Sequence, residues 1–182
     1  MVPELYTAWH AGVSFWKNFN SLNKNSIGIE INNPGHDFKY KKFSKKQINS
    51  ILLLSKSLIK KYKIKPQNIL GHSDIAPNRK KDPGEKFPWE FLFKNKIGFW
   101  HNLDKKELIE YRTLKINDLG KKKFYKNILK IGYSEKNFEN SKLKRDQYKK
   151  ILIKAFQRRF RQDLINGIAD QECLIISKNL VK

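Results

Sequence analysis

An α/β fold followed by a small three-helix domain is what the sequence predicts, and three observations carry it. Residues 26–32 alternate apolar and polar side chains with the period of a strand. Residues 44–62 carry a helical apolar stripe, and a short apolar run at 68–70 then leads into a loop rich in reactive side chains. From Asp104 onward only helical periodicity recurs. The expected division is therefore a first domain over residues 1–100 and a helical one over residues 103–182.

In the first strand Ile27, Ile29 and Ile31 face one side, and Gly28, Glu30 and Asn32 face the other. Ser44 with Gln47 forms a capping box that opens a helix running to about Tyr62. Ile48, Ile51, Leu52, Ser55, Leu58 and Ile59 make its apolar stripe, and Lys65-Pro66 ends the unit. Residues 68–70 read as a short buried strand. In the second half, one helix covers roughly residues 121–131 and stops at Gly132. Another spans about residues 145–160, with Tyr148, Ile151, Leu152, Ala155, Phe156 and Phe160 at helical spacing. Asn166-Gly167 makes a turn, and Asp170 can cap a last helix to about Val181. Aromatic residues at such spacing are expected in a core rather than on a ligand platform.

The chain has 182 residues and a formal charge of +22, shared evenly by its two halves. Such a charge favours polyanionic partners: nucleic acid, an anionic membrane surface or an acidic wall polymer. The cations are mostly lysine and come with much asparagine and isoleucine, a bias that a skewed coding composition also produces. No nucleic-acid-binding motif accompanies them, so no nucleic-acid partner is expected. Cys173 is the only cysteine, which excludes an intramolecular disulfide and a thiolate metal cluster. No apolar run approaches the ~20 residues that span a bilayer. The first residues, MVPELY, lack the basic and apolar regions of a signal peptide. A monomer is expected.

The most informative segment is GHSDIAPNRKKDPGEKFPW at 71–89. It sets a histidine, a lysine and two aspartates in one proline-stiffened loop, where a rigid scaffold concentrates function. His72 and Asp82 are ten positions apart, enough for the loop to fold back and let both side chains meet. Imidazole and carboxylate are ordinary zinc ligands. The spacing alone also admits a plain turn with a locally satisfied histidine. Glu30, mid-strand opposite the isoleucines, reads equally as a proton acceptor beside such a loop or as part of a solvated face. Lys80, two residues before Asp82, reads as an ordinary surface lysine or, if Asp82 binds a metal, as a cation on the same side that stabilises negative charge on a carbonyl oxygen. His10 could be a ligand, a substrate contact or a buried group, and Trp9 beside it suggests a cleft wall. His36 follows Pro34-Gly35 as a turn residue, and His101 falls at the junction without an obvious partner.

AWHAG at 8–12, NSIGIEINNPG at 25–35 and the 71–89 block together resemble the zinc-dependent N-acetylmuramoyl-L-alanine amidases of the AmiD/AmpD type, relatives of the peptidoglycan recognition proteins. Residues 155–161 and 166–172 look like the helical peptidoglycan-binding module attached to AmiD-like enzymes. The resemblance implies a mixed β-sheet with flanking helices. It implies zinc as the cofactor, His72 and Asp82 as ligands, Glu30 as the proton-handling group and Lys80 as oxyanion support. It implies a cleft with Trp9 and His10 against the substrate, and peptidoglycan or muropeptide as partner. It also implies a further histidine ligand on a strand upstream of Val2-Pro3-Glu4, so the first domain is read as N-terminally truncated. The activity expected is hydrolysis of the amide between N-acetylmuramic acid and L-alanine, which a missing ligand would impair. The alternative is a non-catalytic peptidoglycan-binding protein derived from an amidase. AmiD-like members imply the periplasm or cell envelope, AmpD-like members the cytoplasm.

Overall fold

The computed structural model describes residues 2–139 and 141–182. Near its start β1 (Phe15–Trp16) pairs antiparallel with β2 (Phe19–Asn20), with Trp16 opposite Phe19. Lys17 turns this hairpin at φ 52, and its N–H donates to the Gly132 carbonyl at 2.8 Å, binding the hairpin to the helical half.

Three helices follow in the first half: α1 (Lys45–Tyr62), α2 (His72–Ile75) and α3 (Trp89–Lys94). The capping box forms as expected. Gln47 N–H donates to Ser44 Oγ at 3.2 Å, and Ser44 N–H donates to Gln47 Oε1 at 2.9 Å. Ile48 and Ile51 bury against Phe87, Trp89, Leu92 and Ile97, with Leu52 and Ile59 at the margin. This small core holds α1 against the segment that carries the histidine loop.

Two strand expectations are corrected. Residues 26–32 belong to no strand or helix, and Ile27 and Ile29 stay 43% and 40% exposed. Alternation reports only the direction of side chains, whereas a strand needs a hydrogen-bonded neighbour. Residues 68–70 are not a strand either. A 3₁₀ turn occupies Pro66–Asn68, since proline presets φ and lacks the N–H a ladder would use. Among the described residues the sheet is therefore one short hairpin rather than a mixed sheet, with an isolated antiparallel bridge between Lys115 and Asp170.

The second half contains α4 (Lys105–Glu110), α5 (Asp118–Ile131), α6 (Lys136–Glu139), α7 (Arg145–Phe160) and α8 (Gln171–Leu180). The three longer helices match the periodic segments, while α4 and α6 are too short to show a period. Helix α5 starts at Asp118 rather than 121 because Asn117 Oδ1 caps it, accepting from Gly120 N–H at 2.8 Å. Asp170 caps α8 by accepting from Cys173 N–H at 2.9 Å. Cys173 is buried, and burial pushes its thiol up to about 12, so it is an inert part of the core.

One contiguous cluster joins the halves. Ala11, Trp16 and Leu22 pack with Phe124, Ile128, Tyr148, Leu152, Phe156, Phe160 and Ile176. The aromatics at helical spacing are thus core. Gly132 ends α5 at φ +141, and a Cβ there would stand 2.5 Å from the Trp16 indole. Glycine is needed both for the backbone turn and for the ring laid on it. Among the described residues no helix is long and apolar enough to cross a membrane.

Candidate active site

The reactive loop is a helical turn followed by a return, not an irregular excursion. Gly71 precedes α2, and its N–H donates to Asp74 Oδ2 at 2.8 Å, so a side chain of the turn caps its own start. Ala76 N–H closes the turn on the His72 carbonyl at 3.0 Å, and Lys80 N–H continues from the Ala76 carbonyl at 3.0 Å. The chain then comes back: Ser73 N–H donates to the Asp82 carbonyl at 2.9 Å.

That return brings the two side chains together. His72 Nδ1 lies 3.2 Å from Asp82 Oδ2. The opposite ring nitrogen, Nε2, lies 3.2 Å from the Ala11 carbonyl oxygen. A carbonyl can only accept, so Nε2 carries a proton there. In the neutral ring this leaves the Nδ1 lone pair facing a carboxylate oxygen. Two acceptors at that distance repel each other unless a proton or a cation lies between them. Burial pulls the Asp82 carboxyl upward, but the hydrogen bond and charge of His72, with the Lys80 ammonium, hold it below its ordinary range.

The AWHAG segment is the other wall. Ala11 N–H donates to Asn23 Oδ1 at 2.7 Å, which fixes the carbonyl that His72 uses. Arg79 shares that carbonyl through Nη2, and it donates to the Val13 carbonyl from Nη2 at 2.9 Å and from Nε at 3.2 Å. Its planar fork ties the histidine loop to the hairpin segment. Arg79 lies inside the motif, yet nothing local marks a partner 66 residues away in sequence.

His10 packs its ring on the backbone of Gly28, where a Cβ would stand 2.5 Å from the imidazole, and its Nε2 lies 3.3 Å from the Ser26 carbonyl. Trp9 is 85% exposed and free to meet a ligand. Glu30 is exposed on the same segment, and it forms no hydrogen bond or ion pair with His72, Asp82 or Lys80 among the described residues. Lys80 is half-buried and joins the site through its charge. The structure thus brings His72, Asp82 and Lys80 together, with His10 between the Glu30 segment and Ala11.

The far end of the loop is braced. Tyr40 donates to the Pro83 carbonyl at 2.6 Å and accepts from Lys86 N–H at 2.9 Å. Burial raises its hydroxyl to about 12, so it stays a donor. His36 is more than a turn residue: its Nε2 lies 3.0 Å from Glu85 Oε2 and its ring leans on Tyr40. His101 is buried and stacks on Trp100.

Residues 1–85 match the family described as N-acetylmuramoyl-L-alanine amidase. The whole chain is 36% identical to the N-acetylmuramoyl-L-alanine amidase AmiD of Escherichia coli, covering 66% of that protein. About half of the chain, 48%, is 41% identical to the 1,6-anhydro-N-acetylmuramyl-L-alanine amidase AmpD of Enterobacter cloacae, over 45% of its length. The chain therefore spans only part of these relatives. Among solved structures, AmiD in complex with anhydro-N-acetylmuramic acid-L-Ala-D-gamma-Glu-L-Lys superposes with a TM-score of 0.83 at 34% identity, over 100% of this chain and 70% of that one. AmpDh3 of Pseudomonas aeruginosa in complex with an anhydromuramic pentapeptide gives 0.80 at 34% identity, over 98% and 70%.

Proposed function

Because the chain belongs to the N-acetylmuramoyl-L-alanine amidase family, we propose that it hydrolyses the amide between N-acetylmuramic acid and L-alanine in muropeptides or peptidoglycan, with zinc held by His72 and Asp82. The observation that carries this reading is the 3.2 Å approach of His72 Nδ1 to Asp82 Oδ2 while Nε2 is engaged by Ala11. A ligating histidine ordinarily gives its other N–H to a backbone carbonyl, which fixes the ring and its tautomer.

The donor set suits the ion in chemistry: one imidazole nitrogen and one carboxylate oxygen, the types zinc takes in hydrolases. Among the described residues no group of three His, Cys, Asp or Glu side chains gathers, and His72 with Asp82 offers two donors. Zinc held by His72 and Asp82 would supply Lewis acidity to a carbonyl and would lower the pKa of a water from about 16 to near 7.

The chain's own groups divide the remaining work. Glu30, open to water on its segment, accepts the proton of the attacking water and returns it to the leaving amine of L-alanine. Lys80, whose charge already acts on Asp82, stabilises negative charge gathering on the scissile carbonyl oxygen. Trp9 offers an apolar face with a donor edge to the muramyl peptide, and His10 keeps the Glu30 segment beside Ala11. The cationic surface suits a substrate whose stem peptide bears carboxylates.

The test is release of the stem peptide from anhydro-muropeptide, followed by mass spectrometry, with and without a chelator. Release that the chelator stops, and that Glu30→Gln slows about 10²–10⁴-fold, is expected. Retention of intact muropeptide without release would show a binding protein instead.

A further inference from the structure

We infer that the helical half positions the catalytic turn, with Arg159 of α7 and Tyr133 beyond α5 as positioning residues for His72; the inference rests on the zinc reading above. Arg159 is 2% exposed although it belongs to the opposite half of the molecule. Its guanidinium lies 3.4 Å over the Trp89 ring. Its Nη2 donates to the Ile69 carbonyl at 2.9 Å, and its Nη1 stands 3.7 Å from Asp74 Oδ2. Tyr133 donates to the other oxygen, Asp74 Oδ1, at 2.7 Å. Asp74 in turn accepts from Gly71 N–H at 2.8 Å. Farther along the turn, Asn137 of α6 donates to the Ile75 carbonyl at 3.1 Å.

These contacts bracket His72 on both sides. Ile69 and Gly71 come before it, Asp74 and Ile75 after it, and the hydrogen bonds to them trace back to Arg159, Tyr133 and Asn137. Stability alone gives little reason for this construction. A buried ion pair is often no better than apolar residues of similar volume, and Arg159 leaves Nε and Nη1 without hydrogen-bond acceptors. What the arrangement does supply is orientation. Asp74 is held at both oxygens, so the Gly71–His72 peptide has a fixed direction and Nδ1 stays aimed at Asp82. Outer-shell partners of this kind tune metal affinity without touching the metal.

The experiment compares Arg159→Met, Tyr133→Phe and, as a control within the helical half, Arg112→Met, which breaks the Arg112–Glu172 ion pair remote from the turn. Three quantities are measured on the full chain: zinc affinity by chelator competition, the ¹⁵N shifts of the His72 ring without metal, and the thermal midpoint. Arg159→Met and Tyr133→Phe are expected to weaken zinc about tenfold and to shift the His72 ring resonances. Arg112→Met is expected to lower the midpoint while leaving both unchanged. If Arg159→Met does not fold, Tyr133→Phe decides, since it removes one oxygen atom only. Wild-type zinc affinity and unshifted His72 resonances in both variants would overturn the inference. Wild-type protein that binds no zinc would refute the metal reading, and the ring shifts would still judge the anchors.

Discussion

The N–H of Ser73 donates to the carbonyl of Asp82 across 2.9 Å, and this backbone bond closes the loop on which the proposed chemistry depends. It joins the neighbour of His72 directly to Asp82, so the approach of the two side chains is set by main-chain geometry. Side-chain attraction has only to complete it.

Replacing Glu30 by Gln keeps shape and removes the proton acceptor. A fall of about 10²–10⁴-fold in kcat is expected, with zinc affinity unchanged, because general-base catalysis is worth about that much. Steady-state kinetics on anhydro-muropeptide measure it, and undiminished kcat would remove Glu30 from the mechanism.

Arg79→Lys keeps the charge and loses the planar fork that grips the Ala11 and Val13 carbonyls. The expected outcome is weaker zinc binding with little change in KM, since the Ala11 carbonyl then orients His72 alone. Isothermal titration with zinc, beside kinetics, separates the two effects.

Much of this was legible in the residues themselves. The box of Ser44 with Gln47, the stripe on α1 and the Asp170 cap are local signals, and each appears where sequence rules expect it. The pairing of His72 with Asp82 was legible because both lie in one loop. The anchors Tyr133 and Arg159 were not, since they reach Asp74 and Ile69 across 59 and 90 residues of chain. Period-two alternation at residues 26–32 reported the order of side chains only, and it carried no information about a partner strand. Arg79 was visible within its motif, but its role depends on a carbonyl supplied by a distant segment.

Gly132→Ala tests the junction of hairpin and helix. The new methyl would meet the Trp16 ring in a backbone conformation unfavourable to alanine. Overpacking of this type costs about 1–3 kcal/mol, so chemical denaturation should show a loss in that range. A variant as stable as the parent would mean that Trp16 moves freely.

His101 gives the stability a dependence on pH. Burial depresses its pKa below the ordinary 6.5, against the opposing pull of the Phe160 carbonyl and of Glu90 and Glu172. The folded state thus prefers the neutral ring. Its contribution is complete above pH 6.5 and is lost as pH falls from there through the folded-state value. Unfolding free energy should therefore decline below pH 6.5, and His101→Gln should flatten that decline. An equal slope in both proteins would assign the dependence to other groups.

The most direct measurement is anomalous diffraction at the zinc edge from crystals grown with the metal. The account predicts a single strong peak about 2.0–2.2 Å from both His72 Nδ1 and a carboxylate oxygen of Asp82. A zinc peak elsewhere, or none between these two side chains, would contradict it.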